Sequence, residues 1–372
     1  MADKKILLAG KALDKVMPAI RSGRILAAKT DATRLHPDSC ATRTEDLLAV
    51  NLGPIAHVVD VTGANPLQVA VTSPAARRRV PGFEFSLFPE EFPAGTLMEI
   101  SQDILVPSFE WYYLHKALSL SFEKQVLLGF ELCGRFAHSA MCDGSSTCDF
   151  LVDPVLDADS LRSYIEQSAG MTGLKPAKAA VGWVLDNAYS PREAVIALEQ
   201  MLPPRRGGRG YPAPILNPVI SVPPDKRGIV SRETFMPDLY WPGALDVEYD
   251  SGYHNEESQV ERDKARVADI QALGIPVISA TRSSLATCDR AELLGRQIGA
   301  KLANAMGLPM RRRLKRLDDL DLQQSRAALH ARLMAAIGSP LRAGTRKDGG
   351  VWAFDGDDLQ GIDDFELNIG RF

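Results

Sequence analysis

The segment from 235 to 254, FMPDLYWPGALDVEYDSGYH, holds three carboxylates whose spacing suits a cation-binding site. Asp238 follows a proline, and Glu248 and Asp250 lie further along in an apolar stretch. Alternate residues of a strand point the same way, so Glu248 and Asp250 are expected to share one face. If the preceding strand places Asp238 beside them, the three carboxylates repel one another unless a proton or a cation intervenes. Hard oxygen ligands favour Mg²⁺ or Mn²⁺, and such a site can activate water against a phosphodiester.

The order of these residues resembles the PD-(D/E)XK nuclease motif, with Pro237-Asp238 as the first half and Glu248-Tyr249-Asp250 as the second. A closer resemblance is to small bacterial endonuclease-like domains related to the very-short-patch-repair endonuclease. The resemblance covers about residues 188–305, and its pieces are SPRE, MPDLYWP, VEYDSGYH, ERDKARVADIQALG and PVISATR. It implies a restriction-endonuclease-like α/β core, a DNA substrate and Mg²⁺ or Mn²⁺ as cofactor. Asp250 stands where the general motif has its Lys, which leaves the group that handles the proton unidentified.

The resemblance also implies roles for single residues. Asp238 and Glu248 would hold the metal, with Glu193 of the SPRE element as a further ligand. Asp250 or His254 would position or deprotonate the attacking water. The arginines expected to contact DNA are Arg205, Arg206, Arg209, Arg266 and Arg282.

Several of these residues also have a structural interpretation. Ser190 and Glu193 form the pattern of a capping box at the start of a helix, and this role can coexist with metal binding. Arg266 lies one turn after Asp263 on a predicted helix, so the two side chains are placed to form an ion pair. His254 in a loop, like the basic stretches RRR at 77–79 and RRGGRG at 205–210, is also compatible with plain solvation.

The composition is that of a globular protein, with 372 residues, 45% of them hydrophobic and a net charge of −4. No apolar run approaches the roughly 20 residues of a membrane span. The five cysteines form no disulfide framework, and we expect a cytoplasmic protein that does not enter membranes. The net acidity disfavours phosphate binding unless basic residues are clustered, as they are at 205–209 and 311–316.

The pattern of elements predicts five regions. They are a β-rich N-terminal domain at 1–108 with a small, mostly antiparallel sheet, a helical segment at 109–186, the endonuclease-like domain at 187–308, a helix led by basic residues at 309–338, and a flexible acidic tail at 339–372. The N-terminal region also resembles, more weakly, the corresponding region of actinobacterial proteins related to AbiEi-type antitoxin regulators. The winged-helix start of those regulators is not visible in this sequence.

Within the endonuclease-like region we predict helix 191–202, strands near 214–222, 236–241 and 245–250, helix 257–273, strand 276–281 and helix 289–306. Cys133, His138, Cys142 and Cys148 are also candidates for zinc, but their spacing lacks the CxxC pairs of common zinc sites.

Taken together, these features of the sequence support two functions of different classes. One is a metal-dependent endonuclease that hydrolyses DNA, and the other is a non-catalytic DNA-binding regulator, of a defence or toxin–antitoxin system, that keeps the nuclease fold.

Overall fold

A computed structural model describes residues 5–30, 43–62, 65–88, 96–138, 148–250, 257–316, 319–339 and 341, without the side chains of 257–264 and 316. The chain divides into two compact units, Met1–Pro191 and Arg192–Phe372. Among the described helices, none has the length and apolar character needed to cross a membrane. The predicted acidic tail lies almost entirely outside the described residues.

The first unit combines small sheets with helices. Its strands are β1 (Ile6–Leu7), β2 (Ala28–Lys29), β3 (Leu67–Val71), β4 (Phe83–Leu87), β5 (Leu97–Ser101), β6 (Ile104–Pro107), β7 (Phe136–His138) and β8 (Cys148–Phe150). Its helices are α1 (Gly10–Arg21), α2 (Thr44–Ala49), α3 (Phe109–Lys116), α4 (Phe122–Cys133), α5 (Ala158–Gln167) and α6 (Leu174–Val181). One sheet has the order β1-β6-β5-β2, while β3 pairs with β4 and β7 pairs with β8.

The prediction of a mostly antiparallel N-terminal sheet is wrong in two respects. β3 and β4 run parallel, whereas an antiparallel sheet would place the basic stretch Arg77–Arg79 in a hairpin turn, so this stretch belongs to a crossover connection. The apolar run at 55–61, which we also expect from its sequence to form a strand, forms none and follows a 3₁₀ turn at Gly53–Ile55. The β7–β8 hairpin inside the predicted helical segment was also unexpected.

A buried arginine ties distant parts of the first unit together. Arg21, at the end of α1, is 2% exposed. Its guanidinium donates hydrogen bonds to the backbone carbonyls of Glu131, Gly134, Phe136 and Asp153. Because a planar guanidinium has five N–H donors, one side chain can satisfy all of these carbonyls at once.

The second unit contains one four-stranded sheet, a two-stranded sheet and helices. Its strands are β9 (Ile215–Leu216), β10 (Ile220–Ser221), β11 (Thr234–Phe235), β12 (Leu239–Trp241), β13 (Leu245–Asp250) and β14 (Val277–Thr281). Its helices are α7 (Pro191–Met201), which begins at the division, α8 (Glu257–Ala272), α9 (Cys288–Met306), α10 (Leu308–Arg316) and α11 (Leu320–Ala336). The larger sheet has the order β14-β13-β12-β9.

The sequence predicts most of this unit correctly, and the mixed α/β class is confirmed. β9, β12 and β13 form an antiparallel series, and β14 joins β13 in parallel after α8. The predicted strand near 214–222 is wrong, because it is two short strands in different sheets. Asn217, with a φ of 45°, turns the backbone between them, and Pro218 has no N–H to donate to a strand partner.

Helix α9 carries two glycines that let other parts of the unit approach it closely. The guanidinium of Arg209 lies where a Cβ on Gly295 would be. The hydroxyl of Tyr211 and the side chain of Leu314 lie where a Cβ on Gly299 would be. The four-residue spacing of the glycines puts both openings on one face of α9, against which the loop after α7 and helix α10 pack.

Candidate functional site: an acidic strand face

The register of β12 and β13 places three carboxylates on one side of the sheet. Leu239 pairs with Val247 and Tyr240 with Asp246, so Asp238, just before β12, comes opposite Glu248. Paired residues point to the same face and strand residues alternate, which puts Asp238, Asp246 and Glu248 together. We call these three residues the acidic strand face.

Asp238 is held by the backbone of the neighbouring strand. Its Oδ2 accepts a hydrogen bond of 2.6 Å from the backbone N–H of Tyr249. Burial raises the pKa of Asp238 above its ordinary value, although the Tyr249 N–H and the charge of Arg266 act in the opposite direction. The carboxylate is therefore fixed in position but poorly compensated in charge.

Asp246 is a member of this face that we did not anticipate from the sequence. It is fully buried, and neither carboxylate oxygen has a hydrogen-bond partner among the described residues. Burial, followed by the charge of Asp238, raises the pKa of Asp246 to about 7, against a lowering by Arg266. The signal was available, because Asp246 is two residues before Glu248 and so shares its face.

Glu248 is 7% exposed and forms an ion pair with Arg266 of α8. Arg266 was expected to contact DNA, but in the structure its guanidinium contacts this carboxylate. The alternative pair with Asp263 lies outside the residues whose side chains are described. The guanidinium of Arg266, from α8, therefore contacts the acidic strand face.

Glu193 is linked to the acidic strand face through Asn217. Glu193, on α7, is buried, and its Oε2 accepts a hydrogen bond of 2.7 Å from the side-chain amide of Asn217. The backbone N–H of Asn217 donates to the carbonyl of Asp238 at 3.1 Å. The left-handed turn at Asn217 therefore joins the first helix of this unit to the start of β12.

The other two predicted catalytic residues, Asp250 and His254, are not part of the buried acidic strand face. Asp250 is on the same face of β13 but is exposed at the end of the strand. His254 lies outside the described residues. The buried third carboxylate of the face is thus Asp246 and not Asp250.

Of the arginines predicted to bind DNA, Arg209 is buried against residues of the same unit. It is 3% exposed, and its Nη2 donates to Glu292 Oε2 at 2.9 Å and to the carbonyl of Ala291. Arg205 and Arg282 are exposed and Arg206 is half-buried. Arg282 also lies near Tyr249, on the face of β13 opposite the acids.

Glu292 gathers several arginines besides Arg209. Arg326 donates two hydrogen bonds to its carboxylate, at 2.7 and 2.9 Å, and Arg296 donates one at 2.9 Å. Burial alone would raise the pKa of Glu292, but the hydrogen bonds and charges of these arginines lower it below its ordinary value. We call this group of four residues the Glu292 cluster.

The donors of the acidic strand face are carboxylate oxygens, the type of ligand that hard divalent cations prefer. Within the described ranges, no three His, Cys, Asp or Glu side chains are arranged as a metal-binding group. The two buried oxygens of Asp246 without partners, beside Asp238 and Glu248, are nevertheless the hard ligands that Mg²⁺ and Mn²⁺ prefer. Of the zinc candidates, Cys142 lies outside the described residues, and burial raises the pKa of the Cys133 thiol.

Comparisons with models of protein families, with curated proteins and with solved structures found no match to this chain. The functional interpretation therefore depends on the geometry and electrostatics of the chain itself.

Proposed function

We propose that the second unit is a metal-dependent endonuclease that hydrolyses DNA phosphodiester bonds, with a restriction-endonuclease-like core. The observation that carries the proposal is Asp246, a fully buried carboxylate without hydrogen-bond partners, placed beside two further acids. A chain gains no stability from such a group, since burying an uncompensated carboxylate is costly. A cation-binding role explains why the three acids converge. The order of α7, β9, β12, β13, α8 and β14 supports the core that the PD-(D/E)XK resemblance implies.

In this mechanism Asp238, Asp246 and Glu248 would hold Mg²⁺ or Mn²⁺. Such an ion, when bound, would supply a Lewis acid for the phosphate and lower the pKa of water. Asp250, exposed at the end of β13, and His254 are the groups that position the attacking water or accept its proton. Glu193 acts through Asn217, which fixes the start of β12.

The test is a cleavage assay with Mg²⁺, Mn²⁺ or EDTA on plasmid, linear, nicked, mismatched and single-stranded DNA. Asp246→Asn is the most informative variant, because it removes the charge without removing any hydrogen bond of the described structure. We expect Asp246→Asn and Glu248→Ala to abolish metal-dependent cleavage, while Asp225→Ala, at an exposed acid of the same unit, cleaves like wild type. Equal cleavage by wild type and Glu248→Ala, or no cleavage of any substrate, would contradict the proposal.

The Glu248–Arg266 pair favours a second candidate, a DNA-binding regulator that keeps the fold without catalysis. A guanidinium that permanently compensates Glu248 would take the place of a metal ion. This alternative predicts DNA binding that is indifferent to Mg²⁺ and to Asp238→Ala. Metal-dependent DNA affinity that is lost in Asp238→Ala would exclude it.

A further inference from the structure

Helix α10 presents a face made of positive charge. Its sequence, LPMRRRLKR, has five cations in the six residues 311–316 and no acid. Arg311, Arg312 and Lys315 are exposed. In a chain with a net charge of −4, this helix is a strong local departure from the average.

The apolar side of α10 is already used inside the second unit. Met310 is buried, and Leu314, one turn later, packs over Gly299 of α9 next to Tyr211. A basic amphipathic helix that binds a lipid surface needs a free apolar face to insert between the headgroups. On α10 Met310 and Leu314 are engaged in this way, and Leu308, at its first residue, is the one large apolar side chain of the described part of the helix that is exposed. One exposed leucine at the end of the helix is not a continuous apolar face, so the exposed positions 311, 312 and 315 offer charge.

The second basic stretch of the sequence meets α10 in the fold. Arg313 donates a hydrogen bond to the carbonyl of Gly210, at the end of the loop that begins with the 3₁₀ turn Pro204–Arg206. Arg209 anchors this loop over Gly295, and Arg205, four residues earlier, is exposed. Two stretches about a hundred residues apart in sequence are therefore neighbours on α9.

We propose that α10 and the 204–210 loop together form the surface by which this protein contacts the phosphate backbone of double-stranded DNA. Arg205, Arg311, Arg312 and Lys315 are its contact residues, and Arg209 holds the loop without touching the nucleic acid. A helix of nine residues spans roughly 13 Å, which is enough to follow several phosphates of a duplex. The proposal rests on the nuclease function, since it names the surface that brings DNA to the second unit.

The test measures DNA affinity without cleavage, in the presence of EDTA. Fluorescence anisotropy of a labelled 30-base-pair duplex would be recorded against salt for the full chain and for Arg311→Glu/Arg312→Glu. The matched control is Lys175→Glu/Lys178→Glu, which makes the same change of charge on exposed positions of α6. Loss of two phosphate contacts is expected to lower affinity at least about tenfold and to reduce the salt slope by about two. The control is expected to bind like wild type.

Circular dichroism shows whether each variant folds, and Arg311→Gln/Arg312→Gln replaces the charge reversal if it does not. Wild-type affinity in a folded α10 variant would overturn the proposal, whatever the cleavage assay shows. An equal loss in the α6 control would also overturn it, since the effect would then be one of net charge. Preference for RNA, or binding to vesicles of anionic lipid that depends on α10, would overturn the choice of DNA. If α10 variants lose DNA while wild type binds but never cleaves, the surface stands and the nuclease proposal fails.

Discussion

The second unit contains two groups of buried charge that are built in opposite ways. At the acidic strand face three carboxylates share one arginine, and the pKa values of Asp238 and Asp246 are raised. In the Glu292 cluster three arginines surround one carboxylate, and its pKa is lowered. Burial raises the pKa of the acids in both groups, although Arg296 of the Glu292 cluster is 44% exposed.

The difference shows what distinguishes a structural charge cluster from a candidate site. The carboxylate of Glu292 receives hydrogen bonds from every arginine of its group, and the cluster fastens α9 to α11 and to the loop after α7. The carboxylate of Asp246 receives no hydrogen bond from the described residues, so it does not link elements of the unit in this way. A buried charge that the protein leaves uncompensated is the better indication of an external cation.

The largest effect is expected from Glu292→Ala. This variant leaves Arg209 and Arg326, which are 3% and 4% exposed, without the carboxylate between them. Breaking a buried pair by removing one partner costs about 3–5 kcal/mol of the free energy of unfolding. Urea unfolding measures the loss, and a change below about 1 kcal/mol would show that the cluster is not structural.

Asp246→Asn tests whether the buried carboxylate of the acidic strand face makes stability depend on pH. The pKa of Asp246 is about 7 in the folded state against 3.8 in the unfolded chain, so the folded state binds more protons between these values. Stability is therefore present at low pH and is lost as pH rises from about 4 to about 7. At 1.36 kcal/mol for each pH unit, the loss is at most about 4 kcal/mol, because Asp238 titrates with Asp246.

We expect Asp246→Asn to gain this amount over wild type at pH 8 but little at pH 4, in urea unfolding with EDTA. Mg²⁺ should restore the stability of wild type at pH 8 and leave the variant unchanged. A difference between the two proteins that does not vary with pH would contradict the assignment of Asp246 as an uncompensated acid.

Gly295→Ala tests the packing that supports the arginine-rich group. The added methyl overlaps the guanidinium of Arg209, which must move away from Glu292. Overpacking of this kind costs about 1–3 kcal/mol. Thermal unfolding would measure this loss of stability. Position 300 of α9 is exposed and carries an alanine in the native chain, which shows that the helix itself accepts an alanine.

The smallest effect is expected from Glu45→Ala, outside both groups. Glu45 and Arg43 form an ion pair of 3.7 Å and are 77% and 66% exposed. Water and salt screen such a pair, so stability should change by less than about 0.5 kcal/mol. A larger loss would mean that exposed pairs matter here and would weaken the contrast between the buried groups.

The sequence was most informative where periodicity is strong and local. Helices α7, α8 and α9 and strands β13 and β14 begin and end within one residue of the prediction, and β12 ends at the predicted residue but begins three residues later. Local patterns do not fix pairing between distant segments, and so the parallel β3–β4 pair and the separation of β9 from β10 were missed. These depend on contacts across the fold and on the turn at Asn217.

The same limit applies to the site. Asp238 and Glu248 were chosen by spacing, and the register places them opposite each other. Asp246 stands outside the motif, and only its two-residue spacing from Glu248 indicates in the sequence that the two acids share a face. The charge of an arginine does not predict whether its side chain is buried or exposed. Arg209 and Arg205 are four residues apart in one loop, and the first is buried while the second is exposed.

Arg21 has a consequence for how the first unit opens. Its side chain joins the end of α1 to carbonyls more than a hundred residues later, so neither segment can detach without breaking the same set of hydrogen bonds. Cooperative opening of this kind is visible in native-state amide exchange. The amides of α1 and of the segment 131–136 should therefore exchange as one foldon, and Arg21→Ala should split it into two.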